Sequence, residues 1–188
     1  MDVAVPTVIV LASGRGERYV ASGGTGSKLQ AMLAGKPVLT HTLAAVQGSG
    51  LPWHLEDAGH PGMGDSIAAA VRRTADAAGW LILPGDLPLV EPDTLRRVAD
   101  ALRNEGVQAA QPRYRGERGH PVGFARACRE ALMALEGHHG AAPVLRDLRA
   151  AGRVAEVDVD DIGVVTDIDT VAALAAAQVE LLKRLSAA

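Results

Sequence analysis

The sequence predicts an α/β fold: a single domain spanning residues 1–188, in which a mostly parallel sheet lies between two layers of helices. Three observations predict it. Apolar runs of strand length alternate with stretches whose apolar residues recur at helical spacing, the pattern of successive β-α units. With 48% hydrophobic residues and no proline-serine linker, the chain can bury one sizeable core and shows no break where a second would begin. The first apolar run breaks directly into a glycine loop, as at the carboxyl rim of a parallel sheet.

Each element follows in order. Thr7–Ala12 is the first, central strand. Pro37 suits a first helical turn, and Val38, Leu39, Leu43 and Val46 form an apolar stripe that runs to Gly48. Trp53–Glu56 is a short edge strand. Gly62-Met-Gly-Asp-Ser66 introduces a helix running to about Ala78, with Ile67 and Val71 inward and Asp65 or Ser66 as cap. Trp80–Leu83 is a buried strand ending at Pro84-Gly-Asp86-Leu-Pro88. Asp93 to Arg103 is helical, with Leu95, Val98 and Leu102 on one face, and Val107–Gln111 is a strand. A polar loop, Arg113 to His120, leads to a strand at Pro121–Phe124, two helices, a strand at Arg153–Val157 and a last helix from about Thr170. Val171, Leu174, Leu181 and Leu185 form the stripe by which that helix packs on the sheet.

Composition excludes several classes. A net charge of -3 argues against a nucleic-acid surface, which needs clustered cations, and few aromatics are available for base stacking. One cysteine, Cys128, rules out an intramolecular disulfide and suits a reducing, cytoplasmic location. The N-terminal apolar run has no basic flank and stops at a glycine loop, so it reads as neither signal peptide nor membrane span.

The chemistry concentrates in Val8-Ile-Val-Leu11-Ala12-Ser-Gly14-Arg-Gly16-Glu-Arg18, with Lys28 beyond. Gly14 and Gly16 can take backbone angles barred to other residues and let main-chain N–H groups approach an anion, while Arg15, Arg18 and Lys28 offset its charge. This is a phosphate cradle. It is no Walker A loop, because Ser27 separates Gly26 from Lys28 and Leu29 follows. The dinucleotide fingerprint fails too, since Tyr19 stands where its third glycine belongs. The remaining candidates lie on the same rim: Asp86 after a strand, and Asp167-Ile-Asp169 before the last helix.

Leu-Ala-Ser-Gly-x-Gly-x-Arg followed by Gly-Ser-Lys resembles the signature of the nucleotidyltransferases, and the molybdenum-cofactor nucleotidyltransferases match best. The resemblance covers nearly the whole chain and implies a Rossmann-like three-layer sandwich of the nucleotide-diphospho-sugar transferase type. It implies transfer of CMP from CTP to molybdopterin with release of pyrophosphate, dependent on Mg²⁺. Leu83-Pro-Gly-Asp86 resembles the family's metal motif, and Asp169, in a segment like Asp-x-Asp-Thr-Pro, resembles its second metal ligand, with Asp167 as a support and Val171 where proline is usual. Arg18 and Lys28 match positions that bind triphosphate and stabilise departing pyrophosphate, although Tyr19–Gly26 lengthens the segment between them. Leu11, Ala12, Gly14 and Gly16 then belong to the nucleotide site, as do Gly62, Met63 and Ser66. The Gly-Met-Gly-x-Ser segment is similar to that of the cytidylyl branch and favours CTP over GTP. Gly119-His120-Pro121-Val122 resembles the loop facing the acceptor.

The family places a further strand and helix between the Pro37–Gln47 helix and the Gly-Met segment, but only Gly48 to Pro61 is available, so one β-α unit is expected to be missing. Trp53–Glu56 would then pair directly beside the first strand. Other readings of the same residues are a related enzyme using GTP or another phosphate acceptor, and a non-catalytic nucleotide-binding partner in molybdoenzyme maturation. A molybdoenzyme or its maturation chaperone is the implied protein partner. His138-His139 lacks the i,i+4 spacing of a helical metal site and reads as a solvated turn; Cys128, Trp53 and Trp80 read as packing residues.

Overall fold

The computed structural model describes residues 5–14 and 16–187; Arg15 lies outside them. The chain runs β1 (Thr7–Leu11), α1 (Glu17–Ala21), β2 (Met32–Leu33), β3 (Lys36–Pro37), α2 (Val38–Ser49), β4 (Trp53–Glu56), α3 (Met63–Arg73), β5 (Gly79–Pro84), α4 (Pro92–Ala101), β6 (Ala109–Tyr114), β7 (Glu117–Arg118), β8 (Val122–Ala125), α5 (Arg129–Met133), α6 (Ala142–Ala150), β9 (Val154–Asp158) and α7 (Val171–Ala187). Seven strands form one sheet in the order β4-β1-β5-β8-β6-β7, with β9 also on β6. β1 pairs in parallel with β4 and β5, and β9 with β6, whereas β8 runs antiparallel to both neighbours. β4 lies directly against β1, Val8 opposite Trp53 and Leu11 opposite Glu56, and ends the sheet on that side. The pairing of Trp53–Glu56 directly beside the first strand is therefore as expected.

β1 is buried along its whole length, as a strand covered on both faces must be. Alternation then divides the core. Val8, Val10, Leu81 and Leu83 face Val46 of α2 and Leu95 and Val98 of α4. Ile9, Leu11, Trp80 and Ile82 face Ile67 and Val71 of α3 and Leu132 of α5, with Leu145 and Leu148 of α6 packed outside them. Burying one Leu or Ile side chain contributes about 1.5–3 kcal/mol, so this double-faced packing fixes strand register firmly.

Four local expectations need correction. α3 stops at Arg73 rather than Ala78: the Thr74 hydroxyl donates to the Ala70 carbonyl and accepts from the Trp80 indole, and the chain turns there. Neither Asp65 nor Ser66 caps that helix; extended Gly62 precedes it, Ser66 donates to the Gly62 carbonyl and Asp65 accepts from the Gly137 N–H. The polar loop after Val107–Gln111 opens as a hairpin, because Arg115 and Gly116 both adopt positive φ and turn β6 into β7. α7 packs not on the main sheet but on a third cluster, Leu33, Val38, Leu89 and Ile168. It does so through Leu174, Ala177 and Leu181, while Val171 and Leu185 overhang the cluster and are exposed. Trp53 is likewise partly exposed at the sheet edge, whereas Trp80 is fully buried. Among the described residues, no helix is long and apolar enough to cross a membrane.

Candidate active site

The carboxyl ends of β1 and β5 are tied together by the Gly85 N–H, which donates to the Leu11 carbonyl at 2.9 Å. Gly85 has no room for a side chain: a Cβ would lie 3.0 Å from that carbonyl oxygen. This close approach sets Asp86 beside the glycine loop. From the far end of the chain, the Ile168 N–H donates to the Asp86 carbonyl at 2.9 Å, and the buried Ile168 side chain anchors the segment. Asp167 and Asp169 therefore flank Asp86, and oxygens of all three lie within 4.8 Å of one another.

Lys28 occupies the centre of this group. Its Nζ donates to Asp86 Oδ2 at 2.5 Å and to Asp169 Oδ1 at 2.6 Å, and Arg18 pairs with Asp169 Oδ2 at 2.5 Å from an exposed position. The long segment between Arg18 and Lys28 does not displace the lysine. Residues 17–21 take it up as α1, buried Tyr19 packs so closely on Gly24 that a Cβ there would meet its ring at 2.2 Å, and Ser22 accepts from the Val171 N–H.

The charges settle accordingly. Burial works against the Lys28 ammonium, but the Asp86 charge and hydrogen bonds to Asp169 and Asp86 raise its pKa above the ordinary lysine value. Burial also opposes the Asp169 carboxylate, yet the hydrogen bonds from Lys28 and Asp167, with the Lys28 and Arg18 charges, hold it below the usual carboxylate range. Burial, then the hydrogen bond and charge of Asp169, push Asp167 up. Asp86 Oδ1 is buried and has no hydrogen-bond partner among the described residues. Three clustered carboxylates with an orphaned inward oxygen suit a hard divalent cation, which prefers oxygen ligands.

Two compartments meet at this centre. One, of about 380 Å³, is lined by Leu11, Ser13, Gly14, Gly62, Met63 and Ser66, with His60, His138 and Glu17 also at its wall. The other, of about 390 Å³, is lined by Arg18, Arg118, Gly119, His120, Asp167 and Asp169. Lys28, Met63, Pro84 and Asp86 belong to both.

Most of the residues singled out in the sequence thus converge, with three exceptions. Ala12 faces neither compartment, its N–H donating to the Glu56 carbonyl. Of the two loop glycines only Gly16 has positive φ, at the start of α1 and beside Arg18 and Lys28; Gly14 borders the cleft with nothing within 4 Å of its Cβ position. Pro121 is buried and lines neither compartment.

Sequence reasoning missed the support under Gly62 and Gly64. Cβ atoms there would lie 2.3 Å from the Gly137 oxygen and 2.7 Å from the Glu136 oxygen, so both glycines admit the 136–137 backbone. It also missed the buried Gln111 amide, which donates to the Gly119 carbonyl while its own oxygen accepts from Arg149. His120 is held differently. Burial lowers its pKa, only partly opposed by the nearby Asp86 charge, and its Nδ1 has no partner.

Comparison with known proteins places the chain in a family. Residues 43–151 match the model of the MobA-like NTP transferase domain, more than half of the chain. The chain belongs to this family of nucleotidyltransferases. It is 32% identical to the 2-C-methyl-D-erythritol 4-phosphate cytidylyltransferase of Cereibacter sphaeroides, over 77% of this chain and 83% of that one. It is also 32% identical to the bifunctional protein GlmU of Stenotrophomonas maltophilia, over 66% of this chain and 30% of that protein; it spans about a third of the length of the GlmU proteins it matches. Among solved structures, Rv0371c of Mycobacterium tuberculosis in complex with manganese superposes with a TM-score of 0.69 and 23% identity, covering 94% of this chain and 98% of that one. That likeness shows the α/β fold of the family.

Proposed function

We propose that the protein transfers CMP from CTP to the phosphate of molybdopterin, with Mg²⁺, releasing pyrophosphate. The observation that carries the reading is that Asp86 and Lys28 stand in the wall common to both compartments. A nucleoside triphosphate in the glycine-loop compartment would bring its α-phosphorus to the same group that an acceptor phosphate reaches from the other side. Asp86 and Asp169, with Asp167 beside them, would hold the cation, which when bound neutralises phosphate charge; the manganese in the structurally similar mycobacterial protein is consistent with such a centre.

The acceptor phosphate oxygen attacks the α-phosphorus in line, the bond to the bridging oxygen of the β-phosphate breaks, and pyrophosphate leaves. A phosphate monoester is already anionic near neutrality, so no protein nucleophile is required and catalysis consists of positioning and charge compensation. Arg18 and Lys28 stabilise charge moving onto pyrophosphate, Lys28 as a mobile point charge and Arg18 as a fork. Leu11, Gly14, Gly62, Met63 and Ser66 bind the nucleotide, and Gly119 and His120 face the acceptor. A second reading, a polyol phosphate as acceptor, is favoured by the 32% identity to the methylerythritol phosphate cytidylyltransferase and leaves the base unchanged.

The test is pyrophosphate release with magnesium, each of the four nucleoside triphosphates, and either molybdopterin or 2-C-methyl-D-erythritol 4-phosphate. Release with CTP and molybdopterin is expected. Release only with GTP overturns the base, and release only with the polyol phosphate overturns the acceptor.

A further inference from the structure

The nucleotide compartment contains a cluster that the reaction above does not use. Glu56, the last residue of the edge strand β4, is 2% exposed. Its Oε1 accepts from Nε2 of His60 at 3.0 Å and its Oε2 from Nε2 of His54 at 3.2 Å, while Arg73 approaches Oε2 at 3.8 Å. Burial pushes the carboxyl up, but the hydrogen bonds from His60 and His54, and then their charge, outweigh it and hold Glu56 below the usual range. An ionised carboxylate only accepts hydrogen bonds, so each imidazole must present Nε2–H to it. In neutral His60 the lone pair is then confined to Nδ1.

His60 is largely buried and lines the nucleotide compartment next to Pro61, Gly62 and Met63. The hydroxyl protons of the same wall are already used: Ser66 donates to the Gly62 carbonyl, leaving Ser13 to donate to Ser66 at 2.9 Å. Glu17, Lys28 and Asp86 line the same compartment. An imidazole held from behind by a buried carboxylate, with an acceptor nitrogen left for the cleft, is suited to a ligand that offers an N–H donor. Cytosine carries an exocyclic amine where uracil, of the same size, carries a carbonyl oxygen.

We propose that His60, oriented by Glu56, reads the base of the nucleotide: its Nδ1 accepts from an exocyclic amino group, so the cleft distinguishes CTP from UTP by hydrogen bonding rather than by size. The inference rests on the reading of this compartment as a nucleoside triphosphate site and adds the residue that sets its choice. Glu56 is a positioning residue, acting through His60 alone.

Equilibrium binding of CTP and UTP in the presence of magnesium tests it on the whole chain. The wild-type protein is expected to bind CTP about 10- to 100-fold more tightly than UTP. His60→Ala brings the ratio near one by weakening CTP while leaving UTP nearly unchanged. Glu56→Gln reduces the ratio as well, because an amide can donate to His60 and release the tautomer. A structural lesion would weaken both nucleotides together, so the ratio isolates base reading. If both nucleotides bind and His60→Ala keeps the wild-type ratio, or the wild type shows none, this inference falls while the nucleotide site stands. If the wild type binds no nucleoside triphosphate, both fall.

Discussion

The two compartments on either side of Asp86 are alike in size and unlike in construction. The side we assign to the nucleotide draws mainly on residues 11–14, after β1, and 60–66, leading into α3. The side we assign to the acceptor joins residues 117–120 to residues 164–169 across the fold, through the His120 N–H on the Val164 carbonyl at 2.9 Å and the Gln111 amide on Gly119. The first wall is open at Gly14 and braced beneath Gly62 and Gly64 by the 136–137 backbone. The second is closed at Gly119 itself by the distant Val164 carbonyl, so a change there should damage folding before it damages chemistry.

The largest expected effect falls on the wall common to both sides. Asp86→Asn removes a charge from the three-carboxylate group without changing volume, and pyrophosphate release should fall at least about 100-fold with the melting temperature nearly unchanged. Full activity in that variant would break the idea of a common centre. Next comes a direct contrast between the sides. Gly119→Ala places a Cβ 2.2 Å from the Val164 oxygen and should cost about 2 kcal/mol or more of stability in a denaturant titration. Gly14→Ala meets nothing within 4 Å, so it should leave stability intact and weaken nucleotide binding instead. Equal stability losses in the two variants would erase the distinction.

The smallest effect sharpens the comparison by pH. Because the folded pKa of Glu56 lies below its unfolded value, the carboxylate stabilises the fold above about pH 4.5, and that contribution is lost as pH falls through the lower folded value. Thermal melts between about pH 5 and about pH 3 should therefore show a shallower acid decline for Glu56→Gln than for wild type. An unchanged slope would place the acid sensitivity elsewhere.

What the sequence made legible follows the same division. β1 and β5 are readable because their apolar runs are short, bounded and continuous, and the Gly16, Asp86 and Asp169 segments are readable because each sits at a strand or helix end. Lys28 was harder, since eight extra residues precede it; only the packing of Tyr19 on Gly24 and the tie from Ser22 to Val171 bring it back to the carboxylates. Asp167 reads as a mere neighbour until its oxygen is placed beside the other two. The Glu56 cluster escaped notice for a different reason. His54 shares a face of β4 with Glu56, but His60 lies beyond the strand and reaches the same carboxylate only through the fold of the segment that follows. The stripe of α7 misled because periodicity reports that a face is buried and not what buries it.

Ile168 gives the last helix a share in the chemistry it never touches. With its side chain seated beside Leu33, Leu89 and Ala177, and its amide on the Asp86 carbonyl, it transmits any drift of α7 to the spacing of the flanking carboxylates. For the cation site proposed above, substitutions along Leu174 to Leu181 are expected to retune affinity without altering any of the carboxylates proposed to hold the ion.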